Sequence, residues 1–346
     1  MTNLSQPRMP GGVLVAHPLA LDASRRLDER HQRALSRYYL AAGADGLAVG
    51  VHTTQFAVHD PARGLYAPVL GLAAETVQAE AGRPVALVAG VMGPTRQAVD
   101  EAEIARALGY HLALVASVGT DDEDEDALMD RIRAVGDVLP VFAFYLQPKV
   151  GGRLLSARFW RRIADLEQVW AVKLAPFDRY QTAAAVTQLL AAGRRDLALY
   201  TGNDDHFIAD LMTPWPGPGG QTRYLAGGLL GQWAIWTRTA VLLWRRIQTW
   251  RGDAPEPGET HALLKENVIW TLANQALFDA DHDFRGSIAG LHEILRRQGL
   301  MAGRWCLNPH EDVSPGQLAA IDAIREAYPE LADDEFVAEH LDQWLH

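Results

Sequence analysis

Lys173 closes the run Val169-Trp170-Ala171-Val172-Lys173-Leu174-Ala175-Pro176, an apolar and partly β-branched segment that stops at a proline. Such a run reads as a buried strand with one amine at its C-terminal end. An amine held in a dry pocket is disfavoured as ammonium, so its pKa falls and it can condense with a carbonyl to give a Schiff base. Bringing a lysine from about 10.4 towards 7 costs roughly 4–5 kcal/mol of ammonium stabilisation, so an apolar wall is required. The rest of the chemistry needs partners. Tyr145 offers a phenol as proton shuttle for carbinolamine formation and dehydration. Thr53 and Thr54 offer hydroxyl and backbone donors for a substrate carboxylate. His52 and Gln147 are further candidate substrate contacts, and Gly227 and Gly228 would leave room beside the lysine. Asp204 and Asp205 read instead as caps of the next helix, and Asp121–Asp126 as a solvated helix start.

These residues must be positioned by elements, and the chain alternates apolar runs with helical patterns. Strands are expected at Gly12–Ala16, Gly46–Val49, Val85–Gly90, Leu112–Ser117, Val141–Tyr145, Val169–Leu174, Leu197–Thr201 and Tyr224–Gly228, each followed by a helix. Alternation of this kind implies parallel strands joined by crossovers, and eight units suggest an α/β fold of the closed (β/α)8 TIM barrel type. An open doubly wound sheet is the alternative, although no G-x-G-x-x-G follows the first strand. Residues 1–251 are read as the barrel carrying the active site. Gly252–Gly258 reads as a linker, and 252–346 as a C-terminal helical region packed on the barrel or on a partner subunit. In that region Ser314-Pro315 reads as a helix cap followed by a first-turn proline. In the barrel reading, catalytic groups come from C-terminal strand ends. Tyr145, Lys173, Thr201-Gly202-Asn203-Asp204-Asp205 and the loop with His52-Thr53-Thr54 all fall there.

The chain has 346 residues and a formal net charge of −11, which argues against nucleic acid or an anionic membrane as partner. Cys306 is its only cysteine, so no internal disulfide forms, and a cytoplasmic setting is expected. Met1–Pro10 lacks the apolar stretch of a signal peptide, and no apolar run reaches the roughly 20 residues of a membrane helix.

At this point a resemblance carries the argument further. Tyr145-Leu146-Gln147-Pro148, the strand end Val172-Lys173 at 28 residues from Tyr145, Thr201-Gly202-Asn203-Asp204-Asp205, Thr53-Thr54 and Val88-Ala89-Gly90-Val91 stand in a meaningful order. Together they resemble the dihydrodipicolinate synthase and N-acetylneuraminate lyase family of class I aldolases. The resemblance implies a barrel with a helical extension, often assembled as a homotetramer or dimer. It implies a lysine imine with pyruvate or another 2-oxo acid, and aldol addition to an aldehyde or its reversal. It implies small-molecule substrates and no metal or organic cofactor. A sugar-acid dehydratase using the same imine is the alternative within the family. A metal-dependent barrel enzyme using His52, His59, Asp205 and His206 is a different class, as is a barrel that only binds ligand.

The chain departs from the family pattern in places. Gln55-Phe56 follows Thr54 where Gly-Glu is usual, and Val51-His52 precedes Thr53. Val150 stands where the lysine-pathway synthases carry a substrate-binding arginine, with Arg153 nearby. Ser117-Val118-Gly119-Thr120 stands where they carry Pro-Tyr-Tyr. These departures argue against the lysine-pathway synthase itself. The segment Met212–Arg223, with Trp215-Pro216-Gly217-Pro218-Gly219-Gly220, reads as an insertion before the last strand that covers the pocket or makes a turn.

Overall fold

The computed structural model describes residues 9, 11–252 and 256–346, so most of Met1–Pro10 and the middle of the expected linker lie outside the described residues. Eight parallel strands, β1 (Gly12–Ala16), β2 (Gly46–Val49), β3 (Ala86–Val91), β4 (Leu112–Val115), β5 (Val141–Leu146), β6 (Val169–Ala175), β7 (Ala198–Thr201) and β8 (Gly227–Leu230), lie side by side in chain order. β8 pairs with β1, with Gly12 opposite Gly227, so the sheet is a closed barrel and not an open one. The last strand begins three residues beyond the expected Tyr224; ahead of it Ala226 donates its N–H to the Leu199 carbonyl and accepts the Gly12 N–H, which leads the chain into the sheet.

Helices follow the strands: α1 (Glu29–Ala42), α2 (Tyr66–Glu80), α3 (Thr95–Ala107), α4 (Glu125–Gly136), α5 (Ala157–Ala164), α6 (Arg179–Ala191), α7 (Phe207–Met212) and α8 (Thr237–Trp250). Several are capped as their sequences require. Asp28, Asp124, Ser156 and Asp178 each accept a first-turn backbone N–H of α1, α4, α5 and α6 respectively. The two-residue alternation of the strands splits the core. Leu14, Ala48, Val88, Leu114, Phe142, Phe144, Ala171, Tyr200 and Leu229 fill the barrel. Val13, Leu47, Leu87, Ala113, Ala143, Tyr145, Val172 and Leu199 face the helices.

The C-terminal region adds α9 (Glu259–Leu277), α10 (Ser287–Arg297), α11 (Gln317–Ala327) and α12 (Asp334–Leu345). Asp333 fastens this region to the barrel. Its carboxylate accepts the Tyr38 hydroxyl at 2.6 Å and caps α8 through the N–H groups of Arg238 and Thr239 at 2.6 and 3.0 Å. Leu307 then donates its N–H to the side-chain oxygen of Gln55 at 2.6 Å, tying the segment after α10 to the β2 loop. Ser314 does not cap α11. The helix starts later, after Gly316 at φ 87°, and the Ser314 hydroxyl turns to the Asp279 carboxylate. Trp215–Pro216 and Thr222–Arg223 form a two-stranded hairpin ahead of β8. That connection enters the barrel at its amino end, so the insertion is a turn remote from the C-terminal mouth. Among the described residues no helix is long and apolar enough to cross a membrane.

Candidate active site

The carboxyl ends of the strands surround a small cavity of about 60 Å³. Lys173 reaches it from β6 and is 8% exposed. The chain has three lysines, and the other two, Lys149 and Lys265, are exposed. The walls around Lys173 are apolar: Ala16, Val51, Phe144, Leu146, Val150, Ala175, Phe177, Phe278 and Phe284. Its Nζ stands 4.4 Å from the centroid of the Phe144 ring. Removal from water drives the lysine pKa down, and the neighbouring Asp204 carboxylate partly opposes that fall. Gly202 supplies the room: a Cβ there would come within 2.4 Å of Lys173 Cε.

Tyr145 is not in this cavity. β5 and β6 pair with Phe144 opposite Lys173 and Tyr145 opposite Leu174. Side chains alternate faces along a strand, and register partners share a face. Phe144 therefore points inward with Lys173, while Tyr145 points out into the helical layer. There the Tyr145 ring lies 4.9 Å from the ring of Trp160 on α5, and its hydroxyl donates to Gln181 on α6 at 2.9 Å. The expectation of a phenol beside the lysine fails because the 28-residue spacing ignores the parity of the pleat. A one-residue offset moves a side chain to the opposite face.

Asp204 is the acid that meets the lysine. Its place in the sequence suggests a helix cap, but α7 begins later, at Phe207 after His206. The Asp204 Oδ1 atom is fully buried without a partner. Burial pushes its carboxyl pKa up, the Lys173 charge pulls it back, and Asp205 adds to the rise. Its loop is fixed from α9. Asn274 donates to the Asp204 carbonyl at 2.6 Å, and Thr271 to the Asp205 carbonyl at 2.7 Å. Asn203 receives the Phe177 N–H at 3.0 Å and donates to Asp210 at 2.9 Å.

The β2 loop brings the pocket His52 and Thr53, within a single 3-10 turn. The Thr53 hydroxyl is buried and unpartnered. Thr54 points away. Its hydroxyl accepts the N–H groups of Gly50 and Val51 at 3.0 and 3.2 Å and donates to the His17 carbonyl at 2.7 Å. All its capacity goes into shaping the loop, so it is no substrate donor. Burial first, and the Lys173 charge second, lower His52 to about 4, which keeps the imidazole neutral at physiological pH. Gln147 lines the cavity. Gly227 and Gly228 do not. A Cβ on Gly227 would lie 2.1 Å from the Gly12 carbonyl and one on Gly228 2.5 Å from Trp233, so these glycines serve strand closure. His59 is engaged elsewhere, with Nδ1 3.0 Å from Glu101 and Nε2 on the Gly50 carbonyl at 2.8 Å. Among the described residues no three His, Cys, Asp or Glu side chains gather as a metal site.

The site also reaches beyond the barrel, since Phe278, Phe284 and Ser287 come from the end of α9, the turn before α10 and its first residue. A profile of the dihydrodipicolinate synthetase family matches residues 9–230. The chain belongs to that family. It is a lyase that acts through a Schiff-base lysine. An N-acetylneuraminate lyase from Citrobacter koseri is 28% identical over 220 residues, covering 62% of this chain and 70% of that protein. A dihydrodipicolinate synthase from Bacillus anthracis superposes with a TM-score of 0.73 at 17% identity, covering 92% of this chain and 98% of the other. An N-acetylneuraminate lyase from Clostridium difficile in complex with mannosamine gives 0.71 at 16%, covering 92% and 99%.

Proposed function

We propose that this chain is a class I aldolase or lyase in which Lys173 forms an imine with pyruvate or another 2-oxo acid. The observation that carries the reading is that the only buried lysine of three sits at a strand's carboxyl end, in an apolar cavity beside a buried carboxyl. In this reading the neutral Lys173 amine attacks the C2 carbonyl. Asp204 gives a proton to the departing hydroxyl, and water leaves as the imine forms. Asp204, then a carboxylate, removes a C3 proton, and the imine takes up the electron pair as an enamine. The enamine carbon attacks an aldehyde, or the same steps run backwards to cleave a carbon–carbon bond. Thr53, with its unpartnered hydroxyl, is the donor for the substrate carboxylate. Neutral His52 and Gln147 complete the polar contacts.

The pocket does not favour the lysine-pathway synthase. Val150 supplies an apolar wall, and Arg153 is committed to the Thr120 and Glu123 carbonyls at 3.2 and 2.5 Å. The setting proposed is cytoplasmic, with small-molecule substrates. Incubation with pyruvate and borohydride, followed by intact mass, tests the proposal. One reduced pyruvyl group is expected on the wild type and none on Lys173→Ala. An unmodified wild type across a set of 2-oxo acids overturns it.

A further inference from the structure

Two aromatic side chains meet over the lysine cavity from opposite parts of the chain. Phe177 stands four residues after Lys173, in the turn into α6, and Phe284 stands in the turn between α9 and α10. Their rings lie 5.9 Å apart, edge to face at 73°. Both are held at positive φ, 53° and 65°, a backbone region that side-chain-bearing residues seldom occupy. Each is pinned there. Phe177 gives its N–H to Asn203, and Phe284 gives its own to the Asp279 carbonyl at 3.0 Å. Asp279 holds the second turn together by accepting from Gly286 N–H at 2.9 Å and from the Ser314 hydroxyl. An ion pair between Lys149 and Asp283 joins that turn to the β5 loop. Residues kept in an unfavourable conformation by several independent ties mark a ligand-shaping position.

The chemistry of the walls says what is shaped. Phe144, Leu146, Val150 and Phe278 continue the aromatic pair. Among the described residues no arginine lines the cavity, and the lysine there is Lys173. His52 and Asp204 line it together with Lys173. His52, Thr53, Gln147 and Asp204 thus serve the reacting carbonyl, and the aromatic side offers no cation for a second carboxylate and one hydroxyl, that of Ser287, where a sugar would need a row of partners.

We propose that Phe177 and Phe284 form the acceptor half of the site and select an aldehyde with a flat apolar substituent, such as an aromatic aldehyde, over a polyhydroxylated one. The inference rests on the lysine-imine reading above. In the step it requires, C3 of the pyruvate enamine bonds to the aldehyde carbon. The carbonyl π pair goes to the aldehyde oxygen, which takes the proton held by Asp204. Water then hydrolyses the imine, freeing Lys173 and a 4-hydroxy-2-oxo acid.

The test compares benzaldehyde with glyceraldehyde as acceptors for pyruvate by kcat/KM, alongside borohydride trapping of the pyruvate adduct. Trapping together with about tenfold preference for benzaldehyde is expected, the upper end of what an added aromatic contact supplies. In Phe284→Ala that preference should fall by about the same factor. Trapping with preference for glyceraldehyde, or a preference unmoved by Phe284→Ala, overturns the acceptor assignment and leaves the lysine reading standing. No trapping with the wild type overturns both.

Discussion

Replacing Asp204 by asparagine keeps the shape of the cavity and removes one charge from beside Lys173. Two effects follow, with opposite signs. The carboxylate supports the ammonium form of Lys173, while removal from water disfavours it. Without the carboxylate only the second influence remains, so the lysine pKa falls further. An opposite charge at close range is worth about 1–3 pKa units, so a downward move of about 1 unit is a conservative expectation. The acid limb of adduct formation, already below the ordinary lysine value of about 10.4, should shift to lower pH in Asp204→Asn. Turnover should drop at the same time, by roughly 10²–10⁴, because the proton carrier is gone. The assay is the rate of borohydride-trapped pyruvate adduct against pH, set beside kcat for the aldol reaction. A variant that turns over like the wild type, or whose acid limb moves to higher pH, refutes the pairing of Asp204 with Lys173.

Other substitutions separate the site from its scaffold. Gly202→Ala puts a Cβ within 2.4 Å of Lys173 Cε, so the pyruvate adduct should be lost or strongly slowed while the circular dichroism spectrum stays that of the wild type. Tyr145→Phe removes a hydroxyl that bonds Gln181 in the helical layer. It should cost about 1 kcal/mol in urea unfolding and leave kcat near the wild-type value, whereas loss of turnover would return the phenol to the mechanism. Asp333→Ala removes the Tyr38 bond and the cap of α8 together. A loss of about 2–4 kcal/mol is expected from denaturant melts, with an unchanged ratio of benzaldehyde to glyceraldehyde turnover.

Much of the scaffold is readable along the chain because each strand is a short apolar run bounded by turn residues. β1 and β2 fall where those runs begin and end, and α4 opens inside the acidic stretch, at Glu125 with Asp124 as its cap. The site is readable only where one residue carries its own signal, as Lys173 does. Tyr145 misleads because spacing between motifs carries no information on pleat parity, and the neighbouring Phe144 takes the inward place. Asp204 is hidden because an acid ahead of a helix has the same appearance whether it caps the helix or faces a lysine. The neighbouring Gly202 is the local hint, since a glycine between Thr201 and Asn203 leaves space for a long side chain. Phe278 and Phe284 have no local signal. They reach the cavity only through the packing of α9 on the barrel and the ties made by Asn274 and Asp279. Thr53 and Thr54 show the same limit at one-residue scale, because the hydroxyl geometry of a 3-10 turn decides which of them meets the cavity.

Peptide mapping of the borohydride-reduced pyruvate adduct locates the nitrogen that forms the imine. With three lysines in the chain, the assignment is unambiguous. Modification is expected at Lys173 alone. Modification at the exposed Lys149 or Lys265 with Lys173 untouched would contradict it.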